Sequence, residues 1–178
     1  MRGTMKTEVF MQFAEIAGVF IGFGALISMR SSRVTDVHDL VYLKAVLGLG
    51  VWVVVASLVP ITVSGYGVHD HALWLASALV AFAIWVVILI VDSRSSDMRV
   101  LNRTPEPLDR VFPLVGLPLH IIIAASLILV ILGVWRAVDE ALYMTSLAAG
   151  VVFAGYTLLA FVMSKKHVAA PDRDDASP

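Results

Sequence analysis

Glu15 is the residue of this chain whose type and setting point most directly to chemistry. It lies in the run Phe10-Met11-Gln12-Phe13-Ala14-Glu15-Ile16-Ala17-Gly18-Val19-Phe20-Ile21-Gly22-Phe23-Gly24, where a carboxylate must be paired, protonated or hydrated. At about 100° per residue, Gln12, Glu15, Gly18, Gly22 and Ala25 share one broad face of a helix, with Phe10, Phe13 and Phe20 opposite. Two chemistries fit such a face. Glu15 can hold a proton or cation along a path, or it can join Gln12 in bonding a helix that approaches closely over Gly18 and Gly22. The expectation is that this face points into protein or water and that the phenylalanines meet lipid.

The remaining candidates are sparse. His120, two residues after Pro118, reads either as a neutral imidazole bonded to a backbone carbonyl or as a proton relay. Glu15 and His120 enter from opposite ends, and at ~1.5 Å per residue a gap of roughly 10 Å separates them. A translocation path needs groups at successive depths, and these two leave the depths poorly populated. His69-Asp70-His71 offers ligand types that suit a divalent cation, but His69 and His71 are weak candidates without a third ligand, and Asp70 suits a helix cap. No metal site and no cofactor are assigned. With no cysteine in the chain, thiolate chemistry and disulfides are excluded. HExxH, GxSxG and P-loop patterns are absent, and Ser126 and Ser146 lack an evident base, so a non-enzymatic protein is expected.

The elements that position these groups follow from hydropathy. Among 178 residues, 59% are apolar and 15% charged, and the mean hydropathy is +0.88. So few charges cannot cover the surface of a soluble domain, and there is no extended basic patch for nucleic acid. Spanning a bilayer takes about 20 apolar residues in a helix. Five runs meet that length: Val9–Met29, Leu40–Val63, Ala72–Val91, Pro113–Trp135 and Ala141–Met163. The expected fold is an all-α polytopic transmembrane bundle over 1–164, with a disordered cytoplasmic tail at 165–178. The alternative is four spans with an interfacial or re-entrant first helix.

Five spans put Arg2, Lys6 and Arg136 on one side and the other ten Lys and Arg residues on the opposite side. Positive charge stays in the cytoplasm, so the N-terminus is expected outside and the C-terminus inside. Arg94, Arg99, Arg103 and Arg110 then lie in or beside one cytoplasmic loop and suit anionic lipid. Trp74, Trp135, Tyr66 and Tyr143 fall near the outer ends of spans and suggest an aromatic belt. Lys44 sits where its stem can snorkel to headgroups. Tyr143, Ser146, Gly150, Ala154 and Thr157 form a small-polar stripe on the last span, expected to pack against another helix, with the Gly18/Gly22 face as one candidate. Ala72, Ala76 and Ala83 offer span three a similar seam.

Glu15-Ile16-Ala17-Gly18-Val19-Phe20-Ile21-Gly22-Phe23-Gly24 resembles the first span of short multi-spanning bacterial inner-membrane proteins that have no assigned function. The resemblance covers little more than one helix and implies a bacterial plasma membrane setting, without implying an activity. The favoured expectation is a membrane module that assembles through small-residue faces with itself or another membrane protein. The alternative is an oligomeric small transporter or channel subunit moving protons, cations or a small solute past Glu15.

Overall fold

Each apolar run forms one helix. A computed structural model describes residues 7–30, 37–94 and 107–167, with side chains described for 7–29, 40–94 and 114–162. The helices are α1 (Thr7–Arg30), α2 (Val37–Gly65), α3 (Asp70–Arg94), α4 (Pro107–Leu132) and α5 (Asp139–His167), with a single 3-10 turn at Arg136–Val138 before α5. No strand occurs among the described residues. All five helices are long and apolar enough to cross a membrane, the first included. Within lipid each backbone group must be satisfied inside its own segment, which is why these runs fold as helices.

Two boundaries move from the expected ones. Pro107 begins α4, so the residues that close the long loop continue directly into that helix. The expected tail boundary lies within α5, which runs on through His167, and 168–178 lie outside the described residues.

α2 and α5 form the centre. α2 packs against α1, α3 and α5, while α5 also meets α1, α3 and α4. Short connections join α2 to α3 and α4 to α5 at one end of the bundle, here termed the turn face, which also holds the start of α1. The opposite end is the loop face. At the turn face, Gly133 adopts φ +63, and α4 closes with Gly133 N–H donating to Val130 O and Val134 N–H to Leu129 O. This is a Schellman closure, which needs a residue that enters left-handed space freely.

The core is aromatic where the helices meet. Phe10, Trp74 and Tyr143 pack with ring centroids 5.8–6.2 Å apart. Trp74 and Tyr143 are therefore buried in the bundle, which corrects their expected place in an interfacial belt. Tyr66 and Trp135 do face outward. Deeper in, Trp52 is fully buried on α2 and donates its indole N–H to Ala81 O of α3 at 2.8 Å.

Tyr143 is held inside by a backbone defect. Pro60 lies within α2 and has no N–H to give the carbonyl four residues earlier, that of Ala56. Tyr143 OH fills the vacancy, donating to Ala56 O at 2.7 Å. Tyr143→Phe is expected to cost about 1–3 kcal/mol, the penalty of an unsatisfied buried acceptor. Pro60→Ala restores the helical bond and should remove most of that loss, so a double-mutant cycle read by denaturation in detergent would show strong coupling between positions 60 and 143.

Candidate functional site

The α1 face behaves opposite to expectation. Gln12, Glu15, Gly18, Gly22 and Ala25 are all exposed on the outside of the bundle, whereas Phe10 is fully buried and Phe13 and Phe20 pack inward. A Cβ built on Gly18 or Gly22 meets nothing within 4 Å among the described residues. The reason is that lipid is as apolar as phenylalanine, so polarity does not sort α1 against its own bundle. Shape does. Phe20 lies over Gly155 of α5, whose Cβ would stand 3.3 Å from the ring, and Ala17 is fully buried. Gly50 of α2 admits Ile21, which stands 2.5 Å from where a Cβ would be. A path lined by Glu15 would consequently have to run between chains.

The stripe on α5 does pack, though against a different partner. Ser146, Gly150 and Ala154 are buried together with Tyr143 and Thr157. Gly150 lies against Trp52 and Val53 of α2, so the Gly18/Gly22 face has no part in this seam. Ser146 Oγ donates to Tyr143 O at 2.7 Å and Thr157 Oγ1 to Phe153 O at 2.8 Å, each satisfied within α5. On α3 the buried small residues are Ser77, Ala78 and Ala81, while Ala72 and Ala83 face outward and Ala76 is half-buried. The α3 seam is therefore offset from the expected one.

Whereas Glu15 is exposed on α1, His120 is half-buried on α4. Its Nδ1 lies 2.9 Å from Gly116 O, so the N–H sits on Nδ1 and Nε2 is left as the acceptor in the neutral ring. The ring is flanked by Phe153, edge-on at 4.7 Å between centroids, and by Trp85 at 5.8 Å. Asp92, near the end of α3, is half-buried within Coulombic range of both Lys44 and His120.

At the turn face the two histidines of His69-Asp70-His71 part company. His69 is exposed. His71 Nδ1 bonds Asp139 Oδ2 at 2.6 Å, and Asp139 is 1% exposed. Asp70 takes φ +57 at the start of α3, a conformation that aspartate tolerates better than most residues. The His71 ring lies 3.2 Å from where a Gly133 Cβ would stand, so the glycine turn makes room for it. Among the described residues no group of three or more His, Asp or Glu side chains gathers as metal ligands. Of the arginines suited to anionic lipid, Arg94 is exposed at the end of α3. Arg99 and Arg103, and the side chain of Arg110, lie outside the described residues.

No family model, curated protein or solved structure matches the chain. It is a multi-pass membrane protein on the strength of its five helices alone. Neither Asp92 nor the pairing of Asp139 with His71 is among the sites that the sequence marks out. Asp92 stands a heptad after Trp85 and two heptads after Ala78, which is a legible signal of a shared face; Asp139's partner is 68 positions away and is not.

Proposed function

We propose that this protein is a non-enzymatic membrane module that associates side by side with a further helix, from a second copy or another membrane protein, through the outward face of α1. The supporting observation is that Gln12, Glu15, Gly18 and Gly22 all face away from their own bundle. A carboxyl group turned toward hydrocarbon is costly. A neighbouring helix that donates to it lowers that cost, and two glycines one turn apart let such a helix come close. The membrane is a bacterial plasma membrane, with the N-terminus outside, as the ten-to-three division of positive residues favours. Arg94 and the arginines that follow it then meet anionic headgroups.

Gly18→Leu combined with Gly22→Leu should dissociate the assembly. In native membranes extracted with mild detergent, the double variant is expected to shift to the mass of one chain by light scattering, with its melting temperature unchanged. An assembly of unchanged mass in a variant carrying both leucines would contradict the reading.

A further inference from the structure

The turn face carries a cluster of its own, independent of the α1 face. At Gly133 the chain turns with φ +63 and no side chain, and two nitrogens from different elements close on the space a Cβ would take. His71 Nε2 stands 3.2 Å from that point and Arg136 Nε 3.4 Å, so the two lie no further apart than those distances together. His71 is held from behind. Its Nδ1 bonds Asp139 Oδ2 at 2.6 Å, and Asp139 is 1% exposed, which fixes the ring and leaves Nε2 pointing away from the acid. Arg136 ignores the acid four residues on: Glu140 Oε1 is buried with no hydrogen-bond partner among the described residues, while the guanidinium lies toward Gly133. Neither Nε2 of His71 nor the Arg136 guanidinium has a partner among the described residues. His71 keeps 23% of its side chain exposed and Arg136 is exposed, so a ligand can reach both.

We propose that His71 and Arg136 form a binding site for a phosphate oxyanion, supplied by a lipid headgroup. The planar fork of an arginine matches phosphate oxygens with parallel N–H bonds, and Nε2–H of His71 adds a donor from a second element. The proton count of the His71–Asp139 pair decides when that donor exists. Holding one proton, the pair keeps it between Nδ1 and Oδ2, and Nε2 is an acceptor; holding two, it presents Nε2–H. An oxyanion therefore binds better with the second proton in place, and its affinity rises as pH falls. The other ionisable side chains exposed or half-buried at this end are Glu8 on α1, Tyr66, His69 and Asp70 before and at the start of α3, and Glu140 on α5. Three of these are acids, and their field works against an ion arriving from solution. A lipid phosphate is already in place. His71 and Arg136 stand in the first residues of the spans Asp70–Arg94 and Arg136–Val162, at headgroup level, where basic groups between helices take lipid phosphates. The acyl chains supply the local concentration that a free ion lacks.

The test titrates the whole protein in dodecyl maltoside micelles with short-chain phosphatidylglycerol, whose phosphodiester keeps its charge at every pH used, and reads binding by calorimetry. Saturable binding is expected at about pH 6, where an imidazole can carry a second proton. Arg136→Gln, a change to an exposed side chain, should weaken it at least about tenfold, the scale of one bond to a charged group. Raising the pH to about 8.5, where an imidazole is ordinarily neutral, should weaken binding to the wild type by a similar factor. His71→Asn should bind weakly at both pH values, whereas His69→Asn should keep the wild-type affinity and its pH slope. Inorganic phosphate at the lower pH separates the two sources of the anion. Affinity at least about tenfold below that of the lipid, the gain expected from anchoring, supports the headgroup; equal affinity overturns that assignment in favour of the free ion. Absence of saturable lipid binding overturns the site, as does unchanged affinity in Arg136→Gln. If His71→Asn does not elute as the wild type does, the slope in His69→Asn decides the part of His71, and a flat profile there overturns it.

Discussion

Trp52→Ala is expected to lower the stability of the bundle by about 3–5 kcal/mol, the cost of emptying a buried tryptophan site. Trp52 is fully buried on α2. It bonds the backbone of α3 through Ala81 O and rests against α5 at Gly150. One side chain thus ties together three helices, and the space it vacates cannot be refilled without moving all of them. Trp52→Phe keeps most of the volume and gives up the N–H, so it should cost far less, with about 1 kcal/mol of the loss assigned to the hydrogen bond. Equilibrium unfolding in mixed detergent would separate the two. Equal losses for Phe and Ala would show that the hydrogen bond, not the volume, holds the site.

Gly150→Leu attacks the same contact from the other side. A Cβ at position 150 would lie 2.5 Å from Trp52 Cζ3 and 3.0 Å from Val53 Cγ2. These are ring and branched atoms in the middle of the bundle, with nowhere to retreat. Overfilling a packed core costs about 1–3 kcal/mol even for modest additions, and a leucine here must push α5 off α2, so the variant is expected not to fold. The identical substitution at Gly22, which has open space around it, should leave the single chain as stable as before. The contrast is measurable by comparing folded yield in detergent for the two variants. Comparable losses at both positions would mean that α1 packs differently from what is described here.

How much of this could be read from the residues depends on what the membrane enforces. The number of helices was legible, because a span needs a fixed apolar length and charges are excluded from it. The direction in which α1 faces was not. In water an apolar face is driven inward, but in lipid Phe10 gains little by polarity from either side, and its place is decided by the fit against Trp74 and Tyr143. The α5 stripe was legible as a seam because small residues recur along it, yet its partner turned on the bulk of Trp52, which only the packed structure reveals. The Tyr143 bond to Ala56 O spans 87 positions. Pro60 says only that the carbonyl four residues earlier loses its helical donor; that Tyr143 replaces it is decided by how α5 packs on α2.

The central claim is that α1 presents its polar, glycine-lined side to a partner. The chain has no cysteine, so a single one can be introduced anywhere and labelled with a photo-reactive benzophenone. Gly22→Cys and Ile121→Cys both sit on outward surfaces, on α1 and α4. Irradiation in native membranes is predicted to join the label at position 22 to a second protein chain, whereas the label at position 121 meets lipid alone. Protein capture at 121 but not at 22, or at neither, would contradict the account.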